Sequence, residues 1–277
     1  MTTLAHTRTG AGEPLVLLHG IGSSRRAWDP VIPALAGRFD VIAVDLPGFG
    51  DSGPLPPGVE PRPAALAAAV AALLDDLGIT APHIAGNSLG GWVALELAGL
   101  RPVASLALLS PAGLWRGNVP LYDLASLRAS RWLARHATGL LSRLMNYRLG
   151  RALVLGQTHG RPFRLSPGYA RTAIQALGNS PGFDATLQAT IRGYRSGPPI
   201  GAPVTVAFGS RDLLLRRRSR HLDELPPGTR PGSLPHCGHV PMADNPAAVA
   251  AFITAASARG LPDEGARGRL VPGVRAG

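Results

Sequence analysis

The sequence contains no lysine: all 28 of its basic residues are arginine. It has one cysteine, Cys237, which excludes an internal disulfide and a cysteine-rich zinc site. Charged residues make up 16% of the chain, below the roughly 25% of ordinary soluble domains. Even so, no apolar run approaches the ~18 residues of a membrane-spanning helix, and no membrane span is expected. The first ten residues lack a basic stretch followed by an apolar block and a small-residue cleavage site, so a cytoplasmic location is the default expectation. With 277 residues, 45% of them hydrophobic, the chain can form one large domain or a domain carrying an insertion.

Acids are missing from one place in particular. Between residues 101 and 200 there are 13 arginines and two acids, Asp123 and Asp184, whereas the rest of the chain has 15 of each sign. The whole net charge of +11 therefore belongs to that segment. Codon bias explains arginine in place of lysine, but not the shortage of acids. Either these guanidiniums are simply solvated, or they face an anionic partner: a substrate carboxylate, a coenzyme A or acidic carrier-protein thioester, or an acidic lipid surface. Nucleic acid is not expected, because no recognition motif accompanies the charge.

Short apolar runs at 15–19 (LVLLH), 41–45 (VIAVD), 83–85, 105–109 and 203–208 (PVTVAF) suit strands buried on both faces of a parallel sheet. Helical stretches at 28–36, 63–77, 89–100 and 246–258 complete the alternation. The predicted fold class is α/β, a mostly parallel sheet with helices on both faces. The rhythm breaks once, after 109, where some 90 residues carry helical patterns only, too long for an ordinary connection. An inserted helical cap is expected over 114–200, on a core formed by 1–113 and 201–260. Residues 261–277, rich in Gly, Pro and Arg without apolar periodicity, are expected to be a flexible tail.

Within the insertion, Leu141, Leu144, Met145 and Leu149 predict one amphipathic helix. Ser166 and Pro167 mark another helix start, with Ile174 and Leu177 inward. A third helix is expected from Pro181 to about Tyr194, with Leu187 and Ile191 inward.

The sharpest chemical signal is Gly86-Asn87-Ser88-Leu89-Gly90, a G-x-S-x-G pattern between a predicted strand and a predicted helix. A tight turn there holds the serine in a strained backbone, side chains at Gly86 and Gly90 would collide with neighbouring backbone, and the helix behind it points free N–H groups at developing negative charge. Asp212, in Gly209-Ser210-Arg211-Asp212, and His239, in Cys237-Gly238-His239, follow in chain order, both in predicted loops after strands. Singly, Asp212 reads as a turn residue and His239 as a loop histidine. His236 and His239 could suggest a metal pair, but no third ligand is at suitable spacing, and no metal is expected. Occurring jointly and in the order Ser, Asp, His, the three residues read as a catalytic triad: Ser88 the nucleophile, His239 the base, Asp212 its orienting partner. His19-Gly20-Ile21-Gly22 follows the first buried run, and the backbone N–H groups of Ile21 and Leu89 are the predicted oxyanion donors, with His19 bracing the loop.

The chain resembles the α/β-hydrolase superfamily over roughly 15–258, through HGIGSS (19–24), DLPGFGDSG (45–53), GNSLGGW (86–92), FGSRD (208–212) and GHVPMADNP (238–246). The resemblance implies a capped, cofactor-free serine hydrolase with its pocket between sheet and lid, and 45–52 as a structural loop. Dehalogenases and epoxide hydrolases of similar layout use Asp as nucleophile, which Ser88 argues against. Members of the family often begin with two or more antiparallel strands, whereas only about 4–9 precedes the first buried run here. The meta-cleavage-product hydrolases share a GNS-type elbow, but some carry Trp after the histidine where this chain has Val240.

Specificity for a small hydrophobic substrate is expected from the cap, with Trp115, Trp132, Met145, Tyr147, Phe163 and Phe183 as candidate lining groups and packing between lid helices as the competing reading of each. Three functions remain open at this point. The first is hydrolysis of a carboxylic ester or related acyl bond through an acyl-enzyme. The second is C–C bond or thioester hydrolysis, and the third is a non-hydrolytic binding or pathway role on the same fold.

Overall fold

Side chains alternate between the two faces of a strand, and this chain uses both faces for burial. In β2 (Glu13–Leu18), Val16 and Leu18 pack on one side of the sheet and Leu15 and Leu17 on the other. The same alternation divides Ile42 and Val44 from Val41 and Ala43 in β3 (Phe39–Val44), and Leu106 and Leu108 from Ala107 and Leu109 in β5 (Ser105–Leu109). The first face is covered by α2 (Pro63–Asp76) and α3 (Leu89–Leu100) through Leu66, Val70, Leu74 and Val93. The second is covered by α1 (Ile32–Leu35) and α9 (Pro246–Ser257) through Leu35, Val249 and Ile253. The computed structural model describes residues 3–195, 197, 199–216 and 219–259. The expected flexible tail, 261–277, lies outside the described residues.

The sheet is completed by β1 (His6–Thr9), β4 (His83–Asn87), β6 (Val204–Gly209) and β7 (Arg230–Leu234), in the order β1-β3-β2-β4-β5-β6-β7. All pairs are parallel except β1 with β3, where His6 faces Val44. From β2 the chain passes to β3 on one side and later to β4 on the other. Strand order therefore reverses between β2 and β4, and the crevice beyond their carboxyl ends is where open α/β sheets hold ligands. β7 gives no sequence signal: RPGSL contains Pro231 and Gly232 and buries only Leu234, a composition tolerated at a sheet edge.

The helix expected over 28–36 is interrupted. Pro30 and Pro33 lie within it, and the segment forms a 3₁₀ turn (Arg25–Trp28) followed by the four-residue α1. Between β5 and β6 come five helices: α4 (Leu121–His136), α5 (Thr138–Leu144), α6 (Arg148–Leu155), α7 (Pro167–Gly178) and α8 (Phe183–Ala189). The single amphipathic helix read from Leu141 to Leu149 is two helices, α5 and α6. Tyr147 is extended (φ −105°, ψ 137°) and Gly150 packs so tightly on Leu144 O that a Cβ would lie 2.2 Å from it, so the chain turns and leaves Leu149 72% exposed. The start of α7 matches expectation, with Ser166 Oγ accepting from Tyr169 N at 3.2 Å. α8 stops well short of Tyr194, because Val119 N–H takes Ile191 O at 2.7 Å and a bridge pairs Asn118 with Arg192, drawing the chain out of helix. The helices share a small core of their own, which includes Leu141, Met145, Leu155 and Ile174.

Candidate active site

Residue 88 directly follows β4, the central strand, and is the N-cap of α3. Its backbone has φ 53° and ψ −116°, a strained conformation for a side chain other than glycine. The glycines around it permit the turn: a Cβ on Gly86 would lie 2.3 Å from Gly90 O, and one on Gly90 would lie 2.2 Å from Leu18 O. As first residue of α3, Leu89 has an N–H with no partner in the helix. The loop after β2 comes up against the elbow, with a Cβ on Gly20 only 3.2 Å from Ser88 Cβ, and Ile21, Ser88 and Leu89 line one cavity. His19 braces this loop at both ring nitrogens: Nε2 accepts from Leu46 N–H (3.0 Å), so Nδ1–H donates to Gly20 O (2.8 Å). Burial lowers its pKa.

Asp212 lies three residues past β6 and is buried. Its Oδ1 accepts N–H bonds from Leu214 (3.0 Å) and Leu215 (2.9 Å), which leaves Oδ2 for His239 Nδ1–H at 3.1 Å. Burial pushes this carboxyl up. The adjacent His239, the hydrogen bond to it, the Leu215 N–H and the Arg220 guanidinium at 3.7 Å outweigh that penalty and hold its pKa below the usual carboxylate value. His239 arrives on the loop after β7. Its carbonyl is fixed by Asn87, the residue before Ser88, whose amide donates to His239 O (2.9 Å) and Leu109 O (3.0 Å). Sequence reasoning missed Asn87 as a tie between elbow and histidine loop, although it stands inside the motif. Ser88 and His239 line the same cavity. Among the described residues no hydrogen bond joins Ser88 Oγ to His239 Nε2; bonds of this kind are often long until a substrate is bound.

Asp244 sews this loop to the helical segment above it. Its carboxylate accepts from Gly160 N (2.6 Å), Arg161 N (2.9 Å) and Gly238 N (2.8 Å), while Val240 N–H takes Thr158 O (2.8 Å). The two backbones cross so closely that a Cβ on Gly238 would lie 2.6 Å from Gly160 N. The buried Asp45 plays a comparable part in 45–53, accepting N–H bonds from Arg25 (2.6 Å) and Asp51 (2.9 Å), which makes the segment a bound structural loop.

The cavity measures about 160 Å³ and is mostly apolar. Of the six lining candidates, Trp115 is in its wall and the other five are not. Trp132, Tyr147 and Phe163 are 62%, 67% and 46% exposed, on outward faces of the helices and turns, with Trp132 stacked on His136. Met145 fills the core shared by the cap helices, and Phe183 is buried in the main core beneath the Arg131 guanidinium. The other five candidates pack or face water; besides Trp115 the wall includes Tyr169, Ile174, Leu177 and Leu187, with Asp123 and His159, none of which was singled out as a lining group. Asp123 had a signal, being one of two acids among 13 arginines. The arginines themselves are elsewhere. Among the described residues the wall includes one guanidinium, Arg26 from the core, whereas Arg131 and Arg151 are buried against backbone carbonyls, including Ser180 O (2.9 Å) and Met145 O (2.7 Å).

The family model described as "Alpha/beta hydrolase family" matches residues 15–252. The chain belongs to the α/β-hydrolase family. Among curated relatives, this α/β-hydrolase is 33% identical over 251 residues to a pimeloyl-[acyl-carrier protein] methyl ester esterase of Aeromonas hydrophila, covering 86% of this chain and 93% of that one. It is also 49% identical over 106 residues (37% of this chain) to the dihydrolipoyllysine-residue acetyltransferase component of an acetoin cleaving system in Pseudomonas putida, and 31% identical over 246 residues (85% of this chain) to that of Cupriavidus necator. The matched regions span 28% and 61% of those two longer proteins. Among solved structures, an esterase from Thermogutta terrifontis superposes with TM-score 0.71 at 24% identity over 92% of both chains, a likeness of fold. Among the described residues, no helix of this hydrolase is long and apolar enough to cross a membrane.

Proposed function

We propose that this α/β-hydrolase cleaves a carboxylic ester of a small, largely apolar substrate through an acyl-enzyme on Ser88. In this reading His239 takes the Ser88 hydroxyl proton as Oγ attacks the ester carbonyl carbon. The oxyanion forms toward the N–H groups of Ile21 and Leu89, and the alcohol leaves carrying the proton from His239. Water, deprotonated by the same imidazole, then releases the acid and regenerates the hydroxyl. Asp212 fixes the imidazole tautomer and balances its cation. The observation carrying this reading is the 3.1 Å bond from His239 Nδ1 to a buried Asp212 whose other oxygen is occupied, on the wall of the cavity that also holds the strained Ser88. The test is labelling with a fluorophosphonate together with a panel of short acyl esters, a thioester and a dienoate. Ser88 should carry the label, and Ser88→Ala should abolish ester turnover by about 10⁴-fold or more. A folded protein that takes up no label and keeps its biological role as Ser88→Ala would support a non-hydrolytic role instead; faster turnover of the thioester or dienoate would favour those chemistries.

A second reading, an acyl group delivered on an acidic carrier protein, draws on the Arg-rich segment 101–200 and on the carrier named for the Aeromonas relative. Exposed guanidiniums attract such a partner over roughly a Debye length, about 10 Å at 0.1 M salt. Turnover of a carrier-bound ester should then fall steeply with added salt while turnover of a free ester does not; equal salt responses would remove the carrier.

A further inference from the structure

Beside hydroxyl and amide groups such as Ser130, Thr172, Tyr169 and Gln157, the cap segment contributes two ionisable acceptors to the wall of the cavity that holds Ser88 and His239: Asp123 from α4 and His159 from the loop after α6. Both are buried, at 2% and 4% exposure. Asp123 Oδ2 accepts the Ser219 hydroxyl at 2.7 Å, the hydrogen bond this carboxylate makes among the described residues. Burial pushes its pKa up, against the Ser219 bond and the pull of His239.

His159 can be assigned a tautomer. Its Nδ1 lies 3.0 Å from Thr158 Oγ1, and that hydroxyl spends its own hydrogen on Leu155 O at 3.2 Å. Oγ1 therefore accepts from Nδ1–H, and Nε2 is left as a bare lone pair. Nε2 is buried with no hydrogen-bond partner, on a ring that forms part of the cavity wall. Burial also lowers the pKa of this ring, so it stays neutral. A buried acceptor without a donor is costly, and a substrate donor that reached it as the cavity adjusts would remove that cost.

Both groups are acceptors, and among the described residues no cap cation offsets them in the wall. Arg26, the guanidinium of the wall, has a 64% exposed side chain and pairs with Asp29 at 3.6 Å. We infer that Asp123 and His159 form the selective end of the cavity, binding a hydroxyl or amide N–H on the substrate and repelling a carboxylate there. It departs from one of the alternatives drawn from the sequence, a substrate carboxylate facing the cap arginines, and it deepens the ester-hydrolase reading on which it rests.

The test compares kcat/KM for ethyl butyrate, ethyl 3-hydroxybutyrate and monoethyl succinate by pH-stat. The hydroxy ester should be preferred over the plain ester by at least about tenfold, and the succinate monoester should be the poorest; one satisfied buried acceptor accounts for a preference of this size. In His159→Leu and in Asp123→Asn, each checked for folding by its Tm, the hydroxy preference should fall to within about threefold, whatever happens to absolute rates. Equal use of the plain and hydroxy esters by the native protein, or an undiminished preference in both folded variants, overturns the proposal. Binding of pentan-2-one and 4-hydroxypentan-2-one by saturation-transfer NMR reads the same choice without turnover. If no ester is cleaved and Ser88 takes no label, the hydrolase reading fails, while equal binding of the two ketones overturns the acceptor pair on its own.

Discussion

The sheet core and the helical segment above it solve the same problem of burial by different means. In the core, β3 is buried along its whole length and its side chains divide cleanly between two apolar layers. In the cap, Leu149 and Leu153 are more than 70% exposed, and the buried Arg131 and Arg151 donate to backbone carbonyls. The difference teaches where the chemistry resides. The proposed triad residues and the predicted oxyanion donors all stand on the sheet core, at the carboxyl ends of β2, β4, β6 and β7, whereas the cap contributes much of the cavity wall and the partners of Asp244 at the seam.

That division can be broken most forcefully at the core. Asp212→Asn keeps the shape but leaves His239 Nδ1 without its acceptor, and kcat for an ester should fall by about 10³–10⁴-fold with little change in KM. A drop of less than tenfold, measured on folded protein, would mean that orientation of the imidazole does not come from the core.

Next in size is stability. Leu108→Ala, fully buried in β5, should cost about 2–5 kcal/mol in urea unfolding, and Leu149→Ala in α6 should stay within about 0.5 kcal/mol. Similar losses at the two sites would show that the cap packs as firmly as the sheet.

The smallest expected effect is on pH dependence, compared at one buried histidine taken from each region. His19 and His159 both have pKa values lowered from 6.5 by burial. Their neutral forms are favoured in the folded state, so the stability they contribute is fully present above about pH 6.5 and is lost as pH falls from there toward the folded-state values. Unfolding midpoints followed from pH 7.5 to 5 should decline, and His159→Leu should flatten part of that decline. An unchanged slope would place the acid sensitivity in the core.

How much could be read from the sequence also divides along this line. The limits of β5 and α3 match their apolar runs residue for residue, because a segment buried on both faces has little freedom in composition. The elbow was readable because Gly86 and Gly90 have no alternative where a Cβ would meet backbone at 2.2–2.3 Å. β7 was not, since Pro231 and Gly232 look like a turn and the strand exists only because β6 offers its edge. Five of six proposed lining residues were misplaced for a related reason: in an amphipathic helix the pattern says that a face is buried, without saying whether against a neighbour or a cavity. Asp123 and His159 are chemically conspicuous, but their position in the wall depends on Ser219, Thr158 and the crossing at Gly160 and Gly238, contacts 96 and 78 residues apart at the widest pairs.

Alone, the sequence determined the parallel sheet, its two covering layers and the order of Ser88, Asp212 and His239, since local periodicity and obligatory glycines are written in adjacent residues. Only the tertiary structure decided that Asn87 holds the His239 loop, that the cap arginines are absent from the cavity wall and that Asp123 and His159 belong to it. Those outcomes depend on which distant backbones cross, and burial and hydrogen bonding between remote segments leave no local period to read.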